Sequence, residues 1–145
     1  MLRFYPGPYL YAGSALSSRG ASSLGRRLLR HATRSRGAAH PLQRHLRAAF
    51  PALSPPQRKR LHWHVDYLLE EPGVVLTGAL IMRTRHALEG DLAAWLDHRP
   101  DTIIPAEGAG ASDAPGQTHI FGVCAHPGWW RDLCRAITCR FAEER

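Results

Sequence analysis

Tyr9-Leu10-Tyr11-Ala12-Gly13-Ser14-Ala15, followed by Leu24-Gly25-Arg26-Arg27-Leu28-Leu29-Arg30-His31-Ala32, is the stretch that decides the fold class. The first piece comes after a Pro6-Gly7-Pro8 turn and reads as a short strand. The second reads as a helix opened by Ser22 or Ser23 at its N-cap. Leu24, Leu28 and Ala32 form one apolar stripe, and Arg26, Arg30 and Arg34 share the opposite, wet side. Arg27 and His31, four residues apart, border the stripe, where a side chain can reach into a groove beside the packing face.

Downstream, residues 41–50 read as a second basic helix, with Pro41 in its first turn and Pro51 just past its end. The Pro-rich piece 51–56 breaks the chain. Val74 to Met82 is an apolar run of strand length, and a helix capped by Thr84 runs to about Asp97. Its stripe is Leu88, Leu92, Trp95 and Leu96, with Glu89 near the edge. Residues 105–118 are rich in Gly, Ala, Ser, Pro and Asp and read as a long loop, which leads into a strand at His119–Val123. Trp129, Trp130, Leu133, Ile137 and Phe141 mark a final amphipathic helix. Strands interleaved with helices in 145 residues predict one α+β domain.

The charge is segregated. Residues 1–60 carry eleven Arg and one Lys with no carboxylate, a net +12, whereas residues 61–145 carry seven Arg against all twelve acidic residues, a net −5. A GC-rich genome explains Arg in place of Lys, but it does not expel carboxylates from one segment. An acid-free, Arg- and Ser-rich opening also describes a mitochondrial presequence; Phe4, Tyr5, Tyr9 and Tyr11 between Pro and Gly favour strand and turn instead. No apolar run approaches the roughly 20 residues a spanning helix needs, so no membrane partner is expected. Cys124, Cys134 and Cys139 are too few and too clustered for a disulfide framework, so a reducing, cytoplasmic setting is expected.

Basic residues on helical spacing, Arg26, Arg30, Arg34, Arg44 and Arg47, suit the phosphate backbone of nucleic acid. Nothing suggests base readout. Cutting that backbone needs a cation on the scissile phosphate, a carboxylate for a divalent metal and a proton acceptor near the attacking water. Arg27, Glu89 and Tyr11 are residues of those types.

Tyr11-Ala12-Gly13-Ser14-Ala15 followed by Arg27-Leu28-Leu29-Arg30-His31 resembles the second half of the GIY-YIG nuclease signature: Tyr, a small residue, Gly, then a helix bearing Arg and, four residues later, His. The block Lys59-Arg60-Leu61-His62-Trp63-His64-Val65-Asp66-Tyr67-Leu68-Leu69, then Glu89, then Gly110-Ala111-Ser112-Asp113 with His119-Ile120-Phe121, resembles an uncharacterised bacterial and archaeal branch of that family. The resemblance runs from about residue 4 to residue 123. It implies a small antiparallel sheet flanked by helices and metal-dependent hydrolysis of DNA phosphodiesters. Tyr11 would assist the attacking water, Arg27 would stabilise charge on the phosphate with support from His31, and Glu89 would hold one Mg²⁺ or Mn²⁺.

Two departures accompany it. The family's Gly-aliphatic-Tyr strand would lie upstream of the second half-motif, so the expectation is either a late start or a missing edge strand. In the late loop Ala114 and Gly116 stand where relatives carry cysteines, although Asp113 and His119 remain. Two other readings stay open. One is a non-catalytic nucleic-acid-binding module on the same scaffold. The other is a metal hydrolase built on His62, His64, Asp66 and His119, against which stands an ordinary hydrogen-bonding role for histidines around Trp63. Because the first 60 residues hold no carboxylate, any acidic metal ligand has to come from the later part of the chain.

Overall fold

Among the described residues Ile120-Phe121-Gly122-Val123 is the strand with a partner on each side, and its burial shows why it sits there: Ile120 is 2% exposed and Phe121 fully buried. A short run without alternating polar residues suits a central strand covered on both faces. In the computed structural model, which describes residues 3–20, 23–106, 109 and 117–142, the elements are β1 (Tyr9–Tyr11), α1 (Leu24–His31), α2 (Leu42–Ala49), α3 (His64–Glu70), α4 (Glu89–Asp97), β2 (Thr102–Ile103), β3 (Ile120–Val123) and α5 (Trp129–Ala142). The three strands form an antiparallel sheet in the order β1-β3-β2, an α+β fold. Tyr11 pairs with Ile120 and Tyr9 with Gly122, while Thr102 pairs with Val123 on the other side. No helix among the described residues is long and apolar enough to cross a membrane.

The chain forms two compact units. The first, residues 1–13 and 80–145, contains the sheet, α4 and α5. Leu133, Ile137 and Phe141, spaced four apart on α5, pack with Leu88, Ala93 and Leu96 of the α4 region and with Ala12 and Phe121 of the sheet. Burying one such large apolar side chain is worth about 1.5–3 kcal/mol. The Trp95 ring meets Phe141 edge to face, with centroids 6.0 Å apart.

The second unit, residues 14–79, contains α1, α2 and α3. Its core is Leu29, Ala32, Leu42 and Leu46, with Leu28, Phe50, Leu53 and Leu76 around it. The buried face of α1 is therefore Gly25, Leu29 and Ala32, one position on from the expected Leu24–Leu28–Ala32 stripe. Gly25 explains the rotation: a Cβ there would lie 2.6 Å from Leu53 Cδ1 and 3.0 Å from Phe50 Cδ1, so the chain after α2 packs on the bare helix backbone. The wet side is correspondingly narrower than expected. Arg26 is exposed, but Arg30 and Arg34 are turned to partners inside the unit. Arg34 donates to the carbonyls of Glu70 at 3.3 Å and Glu71 at 3.1 Å and to that of Val74, satisfying acceptors that the end of α3 leaves open. Lys59, its side chain fully buried, joins Thr33 O at 2.8 Å to Glu70 Oε1 at 3.2 Å, and Ser35 N–H and Oγ donate to the same carboxylate.

Several boundaries differ from the sequence reading. The first strand ends at Tyr11, and Ser23 Oγ donates to Gly20 O in place of capping a helix amide; Ser22 lies outside the described residues. The helix expected from Thr84 starts at Glu89, because the Thr84 hydroxyl accepts from His86 N–H and closes a local turn. Val74–Met82 forms no strand: burial alternates along it, but Val74 O and Leu76 N–H bond to the side chains of Arg34 and His40 where ladder partners would stand. The two-residue strand β2 was not anticipated. Most of the expected 105–118 loop lies outside the described residues.

His40, 2% exposed, ties this unit together from both ring nitrogens: Nδ1 accepts from Leu76 N–H at 3.0 Å, and Nε2 donates to Leu69 O at 3.0 Å. That pattern requires the neutral ring. Burial, with the charge of Arg34 next, lowers its pKa below the ordinary 6.5. As pH falls through 6.5 the unfolded chain takes up a proton that the folded one refuses, so stability falls with it. The unfolding free energy from urea titrations is accordingly expected to drop between pH 7.5 and 5.5, by at most about 1.4 kcal/mol per pH unit for each such histidine. His40→Gln should flatten that slope; an unchanged slope would remove His40 from the account.

Candidate functional site

In the second unit, the side chains of α1 that the sequence singled out converge on the start of α3. Asp66 is the third residue of α3, and its side chain is fully buried. Its Oδ2 accepts from the Arg30 guanidinium at 2.7 Å, His62 N–H at 2.9 Å and Trp63 N–H at 3.1 Å, while Oδ1 stands 3.5 Å from His31 Nδ1. Burial alone would raise this carboxyl's pKa; the His31 ring beside it, the hydrogen bonds from His62 and Trp63 and the charge of Arg30 more than offset it, and the group is held well below the usual carboxylate range. The bond to Trp63 N–H also satisfies an amide at the helix start, one half of a capping box.

Trp63 organises the cations. Arg27 Cζ lies 4.7 Å and Arg30 Cζ 4.6 Å from its ring centroid, distances at which the ring quadrupole attracts a guanidinium by about 0.5–2 kcal/mol. The rings of His31 and His62 meet the indole edge-on, with centroids at 6.3 Å and 5.1 Å. Burial lowers the pKa of His31; Asp66 opposes that shift, and the charges of Arg27 and Arg30 add to it. His31 is thus held as a neutral imidazole beside a carboxylate, with Arg27 one turn away.

The first unit holds the other set. Tyr11 closes β1, and its ring lies over Gly13: a Cβ at Gly13 would be 2.9 Å from Tyr11 Cε1 and 3.1 Å from its hydroxyl. The glycine of Tyr-Ala-Gly is therefore what lets the phenol lie back over its own strand. Ala12 N–H donates to His119 O at 2.9 Å, and His119 N–H donates to Ala109 O at 2.8 Å, which fixes the backbone of His119 just before β3. Its ring, 2% exposed, faces Glu89 Oε1 through Nδ1 at 2.9 Å and Gln117 Oε1 through Nε2 at 3.0 Å. Glu89 is the first residue of α4, where the helix dipole favours a carboxylate.

The family model described as Domain of unknown function DUF123 matches residues 1–139. The chain belongs to this family. No curated protein and no solved structure matches it.

In this DUF123 chain Arg27, His31 and Asp66 are brought together in one unit, and Tyr11, Glu89 and His119 belong to the other. At Asp66, Oδ2 is taken up by Arg30 and two backbone amides. His62 and His64 are exposed, and among the described residues no three His, Cys, Asp or Glu gather as a metal cluster. Asp113 lies outside the described residues. Arg44 and Arg47 are exposed on α2 and flank a groove of about 730 Å³ whose lining also includes His40, Gln43 and Ser54. The sequence reading missed the part played by Trp63 as a cation platform. An indole directly before a His-x-Asp helix start, downstream of a helix with Arg at i and i+3, was the available signal.

Removing the Asp66 carboxylate leaves the Arg30 charge without its partner and two amides unsatisfied. Asp66→Ala is expected to cost about 3–5 kcal/mol of unfolding free energy by urea denaturation. Asp66→Asn keeps an oxygen for the His62 and Trp63 amides and should cost less. Equal losses in the two variants would contradict the capping contribution.

Proposed function

We propose that the chain is a divalent-metal-dependent endonuclease that hydrolyses DNA phosphodiester bonds in the manner of the GIY-YIG nucleases. The observation that carries the reading is the lodging of Arg27 and His31, one turn apart on α1, against Trp63 and Asp66. A guanidinium held over an indole is pre-oriented to meet a phosphate oxygen, and the neutral imidazole beside it can accept a proton or a hydrogen bond. Tyr11, laid over Gly13 at the end of β1, assists the attacking water in this reading. Glu89 holds one Mg²⁺ or Mn²⁺, which when bound supplies charge stabilisation on the phosphate and a more acidic water. Its surroundings fit such an ion: a half-buried carboxylate with a buried imidazole at 2.9 Å. In the reaction water adds to phosphorus, the bond to the leaving sugar oxygen breaks, and that oxygen gains a proton.

Backbone contacts outside the reacting centre fall to Arg26, Arg44 and Arg47 in this reading, since Arg30 and Arg34 are engaged within their own unit. A binding module without catalysis would rest on the same three.

Nicking of supercoiled DNA in Mg²⁺ or Mn²⁺ is expected from the intact chain, with loss in Arg27→Ala and in Glu89→Gln while circular dichroism stays unchanged. Absence of nicking with either metal would overturn the enzymatic reading. Independently, the Arg44→Gln/Arg47→Gln pair should weaken DNA binding for all sequences alike and lower the slope of log affinity against log salt by about 2. A slope unchanged by the double substitution would take α2 out of the interface.

A further inference from the structure

His119 Nδ1 is fully buried and makes no hydrogen bond, although it stands only 2.9 Å from Glu89 Oε1. Nε2 meets the carbonyl oxygen of the Gln117 side chain at 3.0 Å, an acceptor for a ring proton on Nε2; in that tautomer Nδ1 keeps its lone pair. A ring nitrogen and a carboxylate oxygen at that separation call for a positive charge between them, a proton or a metal ion. Two adjacent ligands about 2.1 Å from an octahedral ion stand about 3 Å apart, which matches this separation. The outer contact matches as well: a metal-bound histidine characteristically donates its other ring N–H to an oxygen that fixes tautomer and ring plane, the part Gln117 plays here. Backbone bonds from His119 to Ala12 and Ala109 fix the main chain from which the imidazole projects.

We propose that His119 and Glu89 together hold the divalent cation, His119 through Nδ1 and Glu89 through Oε1. This rests on the reading of Glu89 as the metal-holding residue and adds to it a second protein ligand. One imidazole and one carboxylate, with water in the remaining positions, suit Mn²⁺ better than Mg²⁺, whose preferred ligands are all oxygen. Gln117 is a positioning residue acting through His119.

The test is electron spin-echo envelope modulation on the full chain loaded with Mn²⁺. The expected spectrum shows nitrogen coupling from one directly bound imidazole, which disappears in His119→Gln and persists in His45→Gln, where an exposed histidine is replaced. Mn²⁺ affinity, from the free-ion signal, should fall at least tenfold in both His119→Gln and Glu89→Gln. Bound Mn²⁺ without nitrogen coupling, or full affinity in His119→Gln, overturns the proposal and leaves Glu89 as the protein ligand; so does coupling that vanishes in His45→Gln. No Mn²⁺ binding at all overturns it too. Where a variant fails to fold, absence of nitrogen coupling in the unaltered protein still overturns the proposal. Nitrogen-coupled Mn²⁺ in a chain that nicks no DNA upholds the metal site and removes the nuclease reading instead.

Discussion

Asp66 is a fully buried carboxylate, and the second unit is arranged to make that tolerable. A fully buried charge is costly unless it is paired and hydrogen-bonded. Here the pairing comes from Arg30 on α1, and the bonding from the amides of His62 and Trp63 that open α3. The same oxygen, Oδ2, thus starts one helix and fixes its position against another. Because Arg30 neutralises Asp66 and lies over Trp63, the neighbouring Arg27 reaches the same indole. The catalytic proposal for Arg27 and His31 depends on this arrangement, which would exist for packing reasons alone.

The sheet imposes a parallel constraint in the first unit. β3 must lie between β1 and β2, and its pairing with β1 sets the residue before it, His119, opposite Ala12. Once that carbonyl is bonded to Ala12, the His119 ring lies within reach of the first residue of α4. Glu89 is favoured at this helix start for a local reason, the dipole, and meets His119 for a non-local one.

The helices and the central strand were legible because their apolar spacing is long and regular. α5 begins at Trp129 as read, α2 lies between Pro41 and Pro51, and β3 is the predicted strand short of its first residue. Misreadings gathered where a side chain replaces a backbone partner. The hydroxyl of Thr84 closes a turn, and Arg34 and His40 bond the backbone of the Val74–Met82 run. Arg30 and Arg34 share the spacing of solvated arginines, and only three-dimensional proximity to Asp66 and to the end of α3 separates them from Arg26. Tyr11, Arg27 and Glu89 could be named from types and order. The role of the His-Trp-His-Val-Asp block could not, since it depends on one indole receiving two guanidinium groups.

The acidic residues of the second unit, Asp66, Glu70 and Glu71, are all at or next to α3, against eleven basic residues in the same span. Asp66 and Glu70 are matched by Arg30 and Lys59, pairs that are largely shielded from solvent and little affected by added salt. The remaining surplus is surface charge of one sign, which repels itself and works against the compact state. Ionic strength therefore acts on this unit in two opposite directions: screening relieves the self-repulsion and firms the fold, while it loosens the grip on any polyanion.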